Sequence, residues 1–105
     1  GFHYLVGTFG GSDVPCVPYS TFGTEQLAED AAAALDRRSA CLLGAHGMIC
    51  RGRDLANAVS LAHRLEIMCR QYLLACQLGE PYLLTKDEWR EFFNRVKQVS
   101  YGSFI

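Results

Sequence analysis

The chain has 105 residues, of which 50% are hydrophobic, and its ten Lys and Arg and eleven Asp and Glu give a formal charge of −1. This length and composition fit one small domain with a real core, so they exclude a disordered chain. The charges form neither a basic stripe for nucleic acid nor a polybasic segment for a membrane, and no apolar run approaches the roughly 18 residues of a spanning helix.

The chain begins at GFHYLVG without an initial Met, which suggests a fragment or a processed chain. The apolar start predicts a strand containing His3 and Tyr4. It lacks the positive residues of a secretory signal, so we expect a cytoplasmic protein. In the segment that follows, Gly and Pro leave room only for a short edge strand in VPCVP, because Pro cannot donate to a strand ladder.

A first helix is predicted from the cap Thr24 to about Arg37, with Glu25 favourably placed at its positive end. Next, the stretch CLLGAHGMIC at residues 41–50 predicts a strand, a tight turn and a second strand. Both apolar flanks are too short for helices, and the two glycines permit unusual backbone angles. This pattern puts His46 at or beside the turn.

The longest helix is predicted from Leu55 to Leu78, capped by Asp54 and stopped by Gly79 and Pro81. A last helix opens at TKDE, where Thr85 and Glu88 have capping-box spacing. Apolar residues at three- and four-residue steps predict the buried face of the long helix: Leu55, Ala58, Val59, Ala62, Leu65, Cys69, Tyr72, Leu73 and Cys76. The last helix has an apolar face made of Trp89, Phe92, Phe93 and Val96.

These elements predict one α/β unit in which a few short strands alternate with three helices. Two short strands cannot form a stable sheet alone, so something else must complete it. The five cysteines form an odd count without C-x-x-C spacing, which favours reduced thiols over a disulfide framework. The unpartnered strands and the aromatic helix face predict that the chain does not persist as a free monomer.

The common catalytic motifs are missing from the sequence: there is no G-x-G-x-x-G, P-loop, H-E-x-x-H or G-x-S-x-G. From the residues alone, His46 is either a metal ligand or acid/base group, or a structural or solvated turn residue. We interpret His63 on the long helix as structural. Tyr4 suits a core or an interface as well as catalysis, whereas Tyr101 has no structural role that we can name.

Three ordered motifs carry a resemblance to a known family: P-C-x-P-Y-x-T-F-G-T at residues 15–24, the HG turn at His46 and Gly47, and A-H-x-x-E at residues 62–66. They are similar to the class II (zinc) aldolase/adducin family. The likeness covers nearly the whole chain and matches the C-terminal half of the family's domain. It therefore implies that residues 1–105 form the C-terminal part of one three-layer α/β/α domain with a mainly antiparallel sheet.

The resemblance also implies a site. His46 matches the third imidazole ligand of a Zn²⁺ ion whose other two imidazoles come from an H-x-H pair, here expected upstream of Gly1 together with an acidic residue. Tyr4 and Tyr101 match tyrosines that assist catalysis from a neighbouring subunit, and Phe22 matches an aromatic residue that lines the site. Tyr4 and Phe22 are equally compatible with interface packing in a tetramer.

The implied reaction is cleavage of a sugar phosphate such as L-fuculose 1-phosphate into dihydroxyacetone phosphate and an aldehyde, in a homotetramer that includes the missing half. One alternative is a sister zinc enzyme of the family: an epimerase, dehydratase or decarboxylase. The other is a metal-free, adducin-like oligomerisation module. His46 favours a zinc enzyme, because a scaffold has no need for an imidazole at that turn. We expect no nucleic-acid or membrane partner.

Overall fold

The computed structural model describes residues 1–99, which contain three α-helices, three strands and one 3-10 helix. The 3-10 helix spans Tyr4–Phe9. The strands are β1 (Cys16–Val17), β2 (Ala40–Leu43) and β3 (Gly47–Cys50), and the helices are α1 (Glu25–Ala34), α2 (Leu55–Gln77) and α3 (Lys86–Val99). The predicted α/β class is confirmed.

The three strands form one sheet in the order β1-β2-β3. β1 pairs with β2 in parallel, with Val17 opposite Leu43, and β2 pairs with β3 antiparallel, with Leu43 opposite Gly47. The predicted edge strand in VPCVP and the predicted hairpin are both confirmed. The mainly antiparallel, three-layer sheet expected for a complete domain stays a prediction, since these residues form one pairing of each kind.

β2 is covered on both faces because its side chains alternate. Ala40 belongs to a core with α2, α3 and the 3-10 helix, whereas Cys41 and Leu43 belong to a second core with β1 and α1. The buried residues of the first core are Val6, Phe9, Ala40, Leu61, Leu65, Met68 and Trp89. The hairpin that follows β2 is therefore held from both sides.

The predicted caps of all three helices are confirmed. The Thr24 side chain accepts a hydrogen bond from the Leu27 N–H at 3.3 Å, and Asp54 Oδ1 accepts from the Asn57 N–H at 2.7 Å. Thr85 and Glu88 form the reciprocal capping box: the Glu88 N–H donates to Thr85 Oγ1 at 3.2 Å and the Thr85 N–H to Glu88 Oε1 at 2.9 Å. Each cap satisfies an amide that a helix start leaves unpaired.

Helix α1 ends at Ala34, three residues before the predicted Arg37. Two arginine side chains hold the connection between α1 and β2 in place instead. Arg38 donates from Nη2 to Asp13 Oδ1 at 3.0 Å, and Arg51 Nε donates to the Leu35 carbonyl at 3.1 Å. These two arginines fix residues 35–39 in a non-helical path that leads directly into β2.

The prediction of a strand at His3 and Tyr4 is wrong. His3 caps a 3-10 helix: its Nδ1 accepts from the Leu5 N–H at 3.0 Å and its carbonyl accepts from the Val6 N–H at 3.1 Å. Gly7 lies against the aromatic rings of α3, so close that a Cβ atom there would overlap Phe92. This packing, together with the local caps, decides the conformation of the segment.

The buried face predicted for α2 is mostly wrong. Of its nine residues only Leu65 is buried, whereas Leu55 and Leu73 are 80% and 65% exposed. The other buried residues of α2, Leu61 and Met68, were not predicted. Because α2 carries apolar residues on more than one side, the sequence pattern alone does not select the side that the sheet covers. The predicted α3 face is confirmed, with Trp89 and Val96 buried and Phe92 and Phe93 packed against the core.

In the part of the chain that the structure describes, none of the helices has the length and apolar character needed to span a bilayer.

Candidate functional site

His46 is exposed on the turn between β2 and β3, as predicted. Its N–H donates to the Leu43 carbonyl at 3.1 Å, which closes the turn and fixes the backbone beneath the imidazole. The preceding residue, Ala45, has a φ of 51°. A positive φ is uncommon for any residue other than Gly, Asn or Asp, so the turn holds Ala45 in a strained conformation directly beside His46.

Gly44 in the same turn is required because the backbone that follows β1 lies very close to it, and not because it has a positive φ. Its N–H donates to the Val17 carbonyl at 2.8 Å, and a Cβ atom at this position would lie 3.0 Å from the Tyr19 nitrogen. The unusual angle predicted for the glycines is present at Gly47, whose φ is 158°, but not at Gly44, and Ala45 has a positive φ that was not predicted. Close packing at Gly44 holds the turn against the segment that follows β1.

The loop after β1 carries two exposed aromatic side chains, Tyr19 and Phe22, which are 63% and 79% exposed. Since Gly44 lies against the Tyr19 backbone, this loop and the His46 turn form one end of the sheet. Tyr19 thus lies beside the His46 turn, and Phe22 follows in the same loop. Aromatic side chains left this exposed are suited to contact a substrate or another chain.

Tyr4 lies on a different element from His46. It begins the 3-10 helix, is 50% exposed, stacks on His3 with ring centroids 4.9 Å apart, and lies 6.0 Å from the Phe92 ring. The 3-10 helix contacts α2 and α3, and its Val6 and Phe9 share the first core with Ala40 of β2. Tyr4 and His46 thus lie on separate elements, and Tyr101 lies outside the described residues.

Metal donors are sparse in the described part of the chain. Residues 1–99 contain no group of three or more His, Cys, Asp or Glu side chains that could hold a metal ion. All five cysteines are free, as predicted. Burial raises the pKa of the thiols of Cys41, Cys50 and Cys69, which keeps them protonated and makes them poor ligands and nucleophiles at neutral pH. Within residues 1–99, His46 therefore belongs to no such group.

The sequence did not predict a groove that lies between β3 and α2 beside the His46 turn. Its volume is about 450 Å³, and Arg70 and Glu66, paired at 3.7 Å, lie at its side. The lining residues are Leu42, Gly47, Met48, Glu66, Cys69, Arg70 and Leu73. Only the A-H-x-x-E motif, which ends at Glu66, pointed to this region.

A sequence profile described as Class II Aldolase and Adducin N-terminal domain matches residues 2–73. The chain belongs to this family. It is 43% identical over 101 residues to a 5-methylthioribulose-1-phosphate/5-deoxyribulose-1-phosphate aldolase of Rhodospirillum rubrum, a match that covers 96% of this chain and 45% of the relative. It is 41% identical over 86 residues to the L-fuculose phosphate aldolase of Escherichia coli K12, covering 82% of this chain and 40% of that enzyme.

Solved structures agree with these sequence matches. An L-fuculose 1-phosphate aldolase superposes with a TM-score of 0.84 at 34% identity, covering 92% of this chain and 45% of that structure. YgbL from Escherichia coli, a putative aldolase/epimerase/decarboxylase, superposes with a TM-score of 0.66 at 33% identity, covering 85% and 42%. The chain thus spans less than half the length of the relatives that it matches.

Proposed function

We propose that this chain is part of a Zn²⁺-dependent class II aldolase that cleaves a ketose 1-phosphate into dihydroxyacetone phosphate and an aldehyde. The observation that carries the proposal is the exposed imidazole of His46, held beside the strained Ala45. Backbone strain of this kind clusters at functional sites, where the surrounding structure enforces it. A turn that only connects two strands needs neither the strain nor the imidazole.

The relatives support the reaction class. The Rhodospirillum rubrum and Escherichia coli proteins are named as aldolases of 5-methylthioribulose 1-phosphate or 5-deoxyribulose 1-phosphate and of L-fuculose phosphate. Identities of 43% and 41% do not separate these substrates. We therefore propose a 1-phosphorylated ketose as the substrate class, with L-fuculose 1-phosphate and the 5-substituted ribulose 1-phosphates as the compounds to compare.

The residues present fit one position of a catalytic zinc site. Such a site takes three protein ligands and one open position, and an exposed neutral imidazole is a common ligand. His46 would supply one ligand, with the others upstream of Gly1. When bound, the metal would polarise substrate oxygen atoms as a Lewis acid.

The other predicted residues act on the substrate directly in this proposal. The Tyr4 hydroxyl donates a proton to the aldehyde oxygen in the condensation direction and recovers it during cleavage, as general acid–base catalysis requires. Phe22 lines the site, and Tyr101 assists from the tail. As the family resemblance implies, Tyr4 serves the site of a neighbouring subunit in a homotetramer. The chain forms the C-terminal part of a three-layer domain.

An activity assay tests the proposal. The protein to use is the joined polypeptide, in which the part of the Rhodospirillum rubrum aldolase outside the match precedes Gly1 of this chain. We expect it to release dihydroxyacetone phosphate from at least one of the three ketose 1-phosphates, and chelation of Zn²⁺ to abolish the release. A folded oligomer that binds no zinc and cleaves none of them would contradict the proposal and favour the adducin-like module.

A further inference from the structure

The turn that carries His46 is bonded to β1 as well as to its own hairpin. The Leu42 N–H donates to the Pro15 carbonyl at 2.8 Å, and the Gly44 N–H donates to the Val17 carbonyl at 2.8 Å. Donors and acceptors both advance by two residues, as successive bonds of a parallel ladder do. Gly44 thus extends the β1–β2 pairing by one bond beyond the end of β2 and into the turn.

The space beside Gly44 is closed by backbone atoms. A Cβ atom at residue 44 would lie 3.0 Å from the Tyr19 nitrogen, 3.1 Å from the Val17 oxygen and 3.4 Å from the Pro18 carbonyl carbon. The end of a flexible side chain can rotate away from such a contact, but backbone atoms that are bonded into a sheet cannot. Any side chain at residue 44 therefore pushes the turn away from the segment that follows β1.

A displacement of Gly44 is passed to His46 over a short path. Only Ala45 stands between them, and its φ of 51° leaves an L-residue few alternative angles. The His46 N–H donates to the Leu43 carbonyl at 3.1 Å, so residues 43–46 form one tight turn that continues directly into β3. The position of residue 44 therefore sets the position from which the imidazole extends.

We infer that Gly44 is a positioning residue for the metal ligand His46, and that it acts by having no side chain. The inference rests on the proposed function, in which His46 binds zinc. The close contact at Gly44 holds the His46 turn against the loop that carries Phe22, so that the two elements keep one relative position. Contacts that orient a metal ligand are worth about 10- to 100-fold in metal affinity.

Gly44→Ala in the joined polypeptide tests this role, and Gly52→Ala is the matched control. Gly52 lies just beyond the other end of β3, and a Cβ atom there would lie 2.7 Å from the Ala58 nitrogen, which is again a backbone atom. Both variants therefore lose packing and stability, but only the first disturbs the His46 turn.

Co²⁺ is the probe for the metal site, because its visible spectrum depends on the geometry of its ligands. We expect Gly44→Ala to change the spectrum of the Co²⁺-loaded protein and to weaken zinc binding, measured by competition with a chelator, by about 10- to 100-fold. Gly52→Ala should keep the spectrum and the zinc affinity of the unsubstituted protein. Unchanged metal properties in Gly44→Ala, or equal losses in both variants, would overturn the inference while leaving the proposed function intact.

Amide hydrogen exchange on the metal-free joined polypeptide tests the same contact without a metal. Protection of the residue-44 amide should fall at least about tenfold in Gly44→Ala, while the amide of Leu65, in the core, keeps its protection. Retained protection at residue 44 would show that the turn accommodates a Cβ atom, which also overturns the inference. An unsubstituted protein that folds but binds neither zinc nor cobalt would instead contradict the proposed function, and the positioning role with it.

Discussion

At the scale of single residues, Tyr4 carries the boldest claim about chemistry. If its hydroxyl transfers a proton to or from the substrate, Tyr4→Phe in the joined polypeptide should lower kcat by at least about tenfold, since general acid–base catalysis contributes about 10² to 10⁴ in rate. If Tyr4 only packs, turnover should hardly change and stability should fall by about 1 kcal/mol. Steady-state kinetics and zinc content, measured together, separate the two roles.

Tyr82→Phe provides a matched control for that experiment. Tyr82 is an exposed tyrosine whose hydroxyl donates to Glu88 Oε1 at 2.6 Å, at the start of α3. Its removal should leave kcat unchanged. An unchanged kcat in Tyr4→Phe would assign Tyr4 to the interface. The same comparison for Tyr101→Phe decides whether the tail takes part in turnover.

Ala45 gives a second prediction at this scale. Its φ of 51° disfavours an L-residue with a Cβ, so Ala45→Gly should raise the free energy of unfolding by up to about 1 kcal/mol. Ala45→Val should lower it, because a β-branched residue is poorer still at positive φ. Denaturant unfolding of the joined polypeptide measures both changes.

The control for Ala45 is the same substitution in a helix. Ala32→Gly, at an exposed position of α1, should lower the free energy of unfolding by about 1 kcal/mol through the helix propensity of Ala. The two Ala→Gly changes should thus have opposite signs. A loss of stability in both would show that Ala45 is not strained.

At the scale of elements, the start of α3 depends on an ionised carboxylate. Backbone hydrogen bonding at Thr85 and the Tyr82 hydroxyl lower the pKa of Glu88 below its ordinary value of 4.5. The unfolded chain therefore binds this proton more readily than the folded chain. The capping box should contribute stability above pH 4.5 and lose it as the pH falls through the lowered pKa.

Glu88→Gln tests this sign. It should flatten the acid limb of unfolding free energy against pH, measured by denaturant titrations between about pH 3 and 7. Glu91→Gln, an exposed change on the same helix, should leave that limb intact. An unaltered limb in Glu88→Gln would remove the capping box as its cause.

The contact between the 3-10 helix and α3 gives a further prediction. A Cβ at Gly7 would overlap the ring of Phe92 and lie 2.9 Å from Trp89 Cζ3, so Gly7→Ala should destabilise the chain by about 1 to 3 kcal/mol. In a Phe92→Ala background the same change should be far less harmful. A double-mutant cycle of unfolding free energies measures this coupling, and strict additivity would contradict it.

At the scale of the whole molecule, the predictions that succeeded depend on neighbours in the sequence. Thr24, Asp54 and Thr85 cap helices through bonds to amides three residues away, so a short stretch suffices to find them. The hairpin around His46 is local in the same way. The position of the candidate ligand was therefore predictable, although the strain at Ala45 was not.

The predictions that failed depend on contacts between distant segments. The 3-10 helix at Tyr4 packs on α3, more than 80 residues later, and the exposure of Leu55 and Leu73 depends on what covers α2. The early end of α1 follows from Arg38 and Arg51, which bond to segments on either side of it. The pattern of residues along the sequence does not show which distant segments come into contact.

The zinc content of the joined polypeptide tests the central claim most directly. Purified with and without His46→Ala, it should hold about one zinc per chain when intact and less than about a tenth of that in the variant, because a catalytic site that loses one of three imidazoles retains metal poorly. His63→Ala, which removes an exposed imidazole from α2, should keep the full content. Folding of all three proteins is verified by thermal unfolding. Retention of stoichiometric zinc by a folded His46→Ala protein would contradict the account.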